Sequence, residues 1–476
     1  SNNAIIQQSA SGQFLRLITN GGQLNLESNF VQFRNSANTT TTATFDADGA
    51  TTLFHNSNPK FLTASTGAEV VGILTATSIK TPKYEGDADR NIIMGCCAGI
   101  AITDTVTDAC RNVIIGCSAG RKVCTGSQAV IIGGCAGHEL INAGANIILG
   151  EFAACKMCCG FNNVVIGKRA GMGLTGRTSC SDVSLGANSN VFIGSYTGRC
   201  TRRECNTFVG PLAGMYNSTG QHNTFIGVNA GKGPSSSAAT NTGTANVYVG
   251  SGAGINARGG SYNIAIGRNT GIAISTGGNN ILLGCGAGIS QISAFNNIFV
   301  GNLAGGCVTT GAQNIFMGQQ AGRCNISGGL KIAIGDNAGE CGMGASANGG
   351  LAIGHCTLRC DTCGSGNVAI GNAAGMRLTC GQNIFMGQGT GVNATAAHGN
   401  TFLGNYVGGC FKTGQKNTFV GCQAGFGHTV GNINVMLGAC SGPRNCGAVG
   451  DCNVFIGGYT ASAMCCGLAN IAVGFM

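Results

Sequence analysis

The sequence predicts an all-β chain: a β-solenoid, or β-roll, of about 22 coils with a 17-residue period, preceded by a small strand-rich region. The first observation behind this is a phrase that recurs from Asn91 onward: Asn, three mostly apolar residues, Gly, then often Ala-Gly. It reads Asn-Ile-Ile-Met-Gly at 91–95, Asn-Thr-Phe-Ile-Gly at 223–227 and Asn-Ile-Ala-Val-Gly at 470–474, in 23 copies whose commonest glycine-to-glycine step is 17. A fixed period of this length is the signature of stacked repeats. The second observation is composition: Gly is 84 of 476 residues, Pro only 5, and Trp is absent. That much glycine outside the collagen triplet suits disorder, but 43% of the chain is hydrophobic, in register with the glycines. The third is that apolar residues inside the phrase recur every second position, the period of a strand.

Residues 1–90 hold no copy of the phrase and no cysteine. Short alternating segments, Phe14-Leu15-Arg16-Leu17-Ile18, Leu24-Asn25-Leu26 and Phe30-Val31-Gln32-Phe33, are separated by turns such as Asn20-Gly21-Gly22 and read as strands. A further run extends from Phe45 through Lys60-Phe61 to Gly72. The polar stretch 80–90, with Pro82, marks the expected joint to a repeat domain over 91–476.

Within a repeat, positions are counted from the closing glycine. Position −1 is apolar in all 23 copies and −3 is Ile, Val, Leu or Thr, so both are expected on one strand face, turned into the coil. Position −2 is expected on the opposite face. It too is mostly apolar, with Phe192, Phe208, Phe225, Phe299, Phe316, Phe385, Phe402, Phe419 and Phe455. Strands apolar on both faces are covered on both, so these phenylalanines are expected to form an oligomer interface with further copies of the chain. Position −4 is Asn in 19 of 23 copies. Stacked about 4.8 Å apart, these amides can hydrogen-bond in a ladder. The glycines fit tight corners. Steps of 8 at 186–194 and 23 at 227–250 break the period and are expected to be loops.

The phrase Asn223-Thr224-Phe225-Ile226-Gly227-Val228-Asn229-Ala230-Gly231, led in by Thr219-Gly220-Gln221-His222, resembles the Asn-Thr-x-x-Gly-x-x-Ala-Gly arrays of phage tail-fibre-like proteins that end in a self-cleaving intramolecular chaperone. More distantly it is similar to the β-roll head of trimeric autotransporter adhesins. The segment 45–75 resembles the strand segments that precede the terminal domains of tail fibres and tailspikes. The resemblance implies a homotrimeric, fibrous protein of a virion surface or extracellular setting, with itself and a host surface glycan or protein receptor as partners. Ending on a repeat fits removal of a chaperone during maturation.

All 27 cysteines lie beyond residue 95 and fall into columns. Cys96, Cys117, Cys285 and Cys422 sit at +1. Cys97, Cys135, Cys356 and Cys440 sit at +2, and Cys200, Cys307, Cys324, Cys341, Cys360 and Cys410 at +6. Same-column residues of adjacent coils fall within the Cα range of disulfides, about 4.4–6.8 Å. Cys307, Cys324, Cys341 and Cys360 offer four consecutive rungs and are the disulfide candidates, in keeping with an oxidising surface. Buried free thiols packed as small apolar groups are the plainer alternative. A zinc site at His355-Cys356-x-x-x-Cys360-x-x-Cys363, or around Cys155, Cys158 and Cys159, is a third reading, but the spacing matches no recognised knuckle. No metal site or cofactor is expected.

Residues 1–90 carry 6 Lys/Arg against 7 Asp/Glu and the repeats 20 against 10, which gives −1 and +10 of the total +9. That charge is too dilute, and too poor in interleaved aromatics, for a nucleic-acid groove. No run of about 20 apolar residues occurs, so membrane insertion is not expected, and Ser1-Asn2-Asn3 opens no secretory signal. Gly-x-Gly clusters such as 250–254 lack the Lys-Ser/Thr of a phosphate loop, and no acidic pair recurs, so no catalytic residue is assigned and no enzyme is expected. The functional expectation is a structural fibre, a tail fibre or spike that attaches a virus or phage to its host. The alternative is a cysteine-crosslinked microbial adhesin or extracellular filament subunit.

Overall fold

The computed structural model describes residues 30–34, 41–46, 51–56, 58–64 and 67–70, and 91–475 except 103–108, 143, 174–187, 235–240, 342–348 and 363. The segments 14–18 and 24–26, the joint at 80–90, the copy closed by Gly186 and Cys363 lie outside them. Contacts divide the chain into Ser1–Gly86 and Asp87–Met476. The first unit is an antiparallel meander of β1 (Phe30–Arg34), β2 (Thr41–Asp46), β3 (Thr52–His55), β4 (Asn58–Ala64) and β5 (Gly67–Val70), paired in chain order.

The second unit is a parallel β-solenoid. Each coil contributes one three- or four-residue strand, and 22 such strands pair successively from Ile92–Met94 to Ile471–Val473. Register is one-to-one: Phe208 faces Phe225, and Ile298 faces Ile315. Val164–Ile166 pairs directly with Val191–Ile193. Likewise Thr224–Ile226 pairs directly with Val247–Val249 across the 23-residue step, whose residues 235–240 lie outside the described ones. No described residue is helical, and the period is that of the sequence.

The strands face the opposite way from the expectation. In the described strands from Ile114 to Phe455 every −2 side chain is buried within the single chain, while every −1 and −3 side chain of the described strands is half-buried or exposed. Phe192, Phe208, Phe225, Phe299, Phe316, Phe385, Phe402, Phe419 and Phe455 are therefore the interior of the solenoid and no oligomer interface. Strand parity groups −1 with −3 but does not say which face is inside. The turn after the strand decides it. Ala at +3 and the apolar residue at +7, such as Ile274, Val308 or Leu378, are buried with the −2 column in one continuous core. Rings stack along it: Phe208 and Phe225 lie 4.7 Å apart and nearly parallel, and Phe225 and Tyr248 4.8 Å.

Two glycine columns make this packing possible. At +4, a Cβ on Gly198 would stand 2.7 Å from the Phe192 ring. Where −2 is the small Ala352, the +4 position is instead Leu358, whose buried side chain adds apolar volume to the same coil. The closing glycines have φ near +130°, and a Cβ on Gly95 would meet the backbone of Gly116 at 2.7 Å. Successive coils thus touch backbone to backbone at this corner, which only glycine permits.

The asparagine ladder forms as the sequence predicts. Asn246 Oδ1 accepts both the backbone N–H (2.9 Å) and the side-chain Nδ2 (3.1 Å) of Asn263, whose Nδ2 also donates to the Gly277 carbonyl at 3.0 Å. The column is unbroken from Asn146 to Asn314 and again from Asn367 to Asn470. Between these runs it holds Lys331 and Gly350. Near the end of the chain a second, four-stranded parallel sheet forms from Ala396–His398, Thr413–Gln415, His428–Val430 and Ala448–Val449.

Candidate functional site

The outward columns −1 and −3 form the most extended chemical feature of the described solenoid. Their 44 side chains, two from each of 22 strands, include no charged residue, and only Thr207, Thr224, Thr401 and Thr418 are polar. Individual residues keep large exposures for aliphatic side chains: Ile147 40%, Ile266 42%, Met317 40% and Ile384 39%. The one-to-one strand register aligns them in two parallel rows. At about 4.8 Å per rung and about 3.3 Å per residue, the strip measures about 100 Å by about 10 Å, on the order of 1,000 Å². Contiguous apolar patches beyond a few hundred Å² mark interaction surfaces.

The cysteines project mainly from the turns. Backbone bonds from Cys307 N to Arg323 O (2.7 Å), Cys324 N to Glu340 O (2.8 Å) and Cys341 N to Arg359 O (2.7 Å) carry the +6 column from coil to coil. Cys307, Cys324, Cys341 and Cys360 are thus brought together as neighbours, each as a free thiol. Beside them the +5 column holds an ion-pair ladder. Glu340 is buried between Arg359, whose Nε donates to its Oε2 at 2.7 Å, and Arg323, 3.9 Å from its Oε1. Among the described residues one disulfide is present, Cys410–Cys446, with a Cα separation of 5.7 Å. Sequence reasoning missed this pair because Cys446 stands at +8 rather than +6, and the two residues belong to coils two apart, closed by Gly404 and Gly438. Among the described residues no group of three or more His, Cys, Asp or Glu is placed to hold a metal ion. His355 Nε2 lies 3.5 Å from Cys356 Sγ and 3.8 Å from Asp336.

Three ionisable side chains occupy the interior. Lys331 takes an asparagine position, and its Nζ donates to Asn325 Oδ1 at 2.9 Å. Burial pulls its pKa down to about 8, opposed by the charge of Asp361. Asp361 accepts from Gly364 N (2.8 Å) and Asn367 Nδ2 (3.0 Å), yet burial still pushes it up to about 6. His428, at a +7 position, packs edge-on against Phe419 and is held down at about 4 by burial, against the opposing charge of Asp451. All three stand where neighbouring coils carry neutral side chains.

A groove of about 540 Å³ beside the disulfide is lined by Arg377, Asn393, Thr395, Lys412 and Thr429. Neither cation in it makes an ion pair with a described residue. No family model, curated protein or solved structure matches the chain.

Proposed function

We propose that the chain is a structural fibre subunit that assembles laterally with further copies of itself and serves attachment of a virus or phage to a host surface. The observation that carries this reading is the uncharged apolar strip along the whole described solenoid. Its area is comparable to the roughly 800 Å² per partner of a standard stable interface. A small globular partner spans only part of such a length, whereas a second solenoid with the same 4.8 Å rung spacing matches every row. The earlier expectation of a homotrimer is kept as part of the proposal, with the interface moved from −2 to −1 and −3. Attachment rests on the resemblance to tail-fibre arrays. The Arg377–Lys412 groove, cationic and lined by hydroxyl and amide groups, suits an anionic host glycan.

Immunogold electron microscopy of the native source tests the functional half. Label on fibres that end on a capsid or tail supports it. Label on continuous extracellular polymers contradicts it and selects the filament reading, which the Cys410–Cys446 bond also suits.

A further inference from the structure

The thiol column at +6 runs into the longest gap in the amide ladder among the described coils, two successive coils without the asparagine, where a single coil lacks it at Ala129. Asn314 and Asn367 are the last and first members of the two ladder runs, and the two coils between them carry Lys331 and Gly350 instead. Those coils close at Gly335 and Gly354, a step of 19 rather than 17, and their +6 residues are Cys341 and Cys360. The two coils before them carry Cys307 and Cys324. The backbone bonds between +6 and +5 positions hold these four residues in successive rungs.

We propose that the column is a modification site which oxidises to two coil-to-coil disulfides, Cys307–Cys324 and Cys341–Cys360, the second joining the two coils that lack the asparagine. The reading is independent of lateral assembly, which uses the outward strand side chains and not the turns that carry the thiols. Three observations support it. Rung spacing places same-column Cα atoms near the 5.7 Å already spanned by Cys410–Cys446. The Arg323–Glu340–Arg359 ladder on the adjacent column fixes the register of the same coils. The thiols hydrogen-bond in these pairs, whereas Cys324 acts on Cys341 through charge alone. Burial raises Cys324 first, with Cys307 adding charge and a hydrogen bond, and burial raises Cys341 first, with Cys360 adding the same two effects.

Cys307, Cys341 and Cys360 are exposed and Cys324 is half-buried, so Cys307 and either thiol of the second pair are the entry points. As thiolates they attack a small-molecule disulfide of the oxidised-glutathione class, forming a mixed disulfide and releasing one small thiol. The other thiol of the pair then displaces the second. Two protein thiols become one S–S bond, the small disulfide is reduced to two thiols, and the two protons leave with them. The bond joins coils where an amide column is missing, and it restricts the unfolded chain.

The test equilibrates the full chain with oxidised glutathione, alkylates it under denaturing conditions and maps non-reduced peptides by mass spectrometry. Linked peptides 307–324 and 341–360, alongside 410–446, are expected. Alkylation of all four thiols, or a 324–341 link, overturns the assignment. In the same buffer, a C341S/C360S variant is expected to show a lower thermal midpoint than the wild type and a smaller drop on adding reductant. Equal midpoints and equal drops would leave the second bond without its stabilising role and overturn that part.

Discussion

Phe402 lies 4.9 Å from Phe385 and 4.6 Å from Phe419, its ring enclosed by the coils before and after it. At this scale the fold is a matter of close packing, with each phenylalanine ring at −2 from Phe192 to Phe419 against glycine at +4 and a neutral side chain usual at +7. Asp361 and His428 depart from the pattern in opposite senses, and their linkage to pH follows. His428 has its folded pKa depressed to about 4, from 6.5. Between those values the unfolded chain binds a proton that the fold refuses, so its contribution is lost as pH falls from 6.5 to 4. Asp361 has its folded pKa raised to about 6, from 3.8. There the fold holds the proton that the unfolded chain has released, so stability is lost as pH rises from 3.8 to 6. The two slopes oppose one another. Denaturation midpoints of wild type and Asp361→Asn, followed from pH 7 to 4, check this. The variant should lose stability more steeply than the wild type on acidification, and parallel curves would refute the buried carboxyl. Neither residue announces itself in the sequence. Asp361 and His428 are legible only as members of the +7 column, and that column becomes visible once the −2 side chain is known to point inward.

At the scale of the coil, the asparagine ladder is the element most fully legible in the sequence, because one residue type recurs at one position and amides stack productively at rung spacing. The interior was not legible, because alternation gives two apolar faces and β-branched residues at −1 and −3 look like a core. The signal that resolves it is Ala at +3 with Gly at +4, a small corner that leaves room for the −2 side chain to pack beneath it. The ladder also carries a prediction. Asn263→Ala removes the side-chain bonds to Asn246 Oδ1 and Gly277 O and the acceptor that Asn280 uses twice. At about 1 kcal/mol for each bond, and more for polar groups left buried and unpaired, the loss should be about 3–5 kcal/mol. Exposed Asn302→Ala should cost less than about 0.5 kcal/mol. Urea denaturation of both variants measures the difference, and equal midpoints would mean that the ladder is incidental to stability.

At the scale of the whole molecule, the solenoid unit satisfies its backbone along its length and leaves one long face unsatisfied in hydrophobic terms. Burying apolar area is worth about 25 cal/mol per Å² before the costs of association, so a strip on the order of 1,000 Å² favours self-association over exposure. Because the phenylalanines are interior, charge on the two faces should have opposite consequences. Ile266→Lys, Met317→Lys and Ile384→Lys place cations on exposed positions, where a monomer can solvate them but an interface cannot. Phe316→Asp places a charge in the core and should unfold its coils in any assembly state. Sedimentation velocity of the wild type and of the triple lysine variant, with far-UV circular dichroism on the same samples, is the most direct test of lateral assembly. A wild-type oligomer and a triple variant that sediments as a monomer with an unchanged β spectrum is the predicted result. A monomeric wild type, or a triple variant that stays oligomeric, would contradict it.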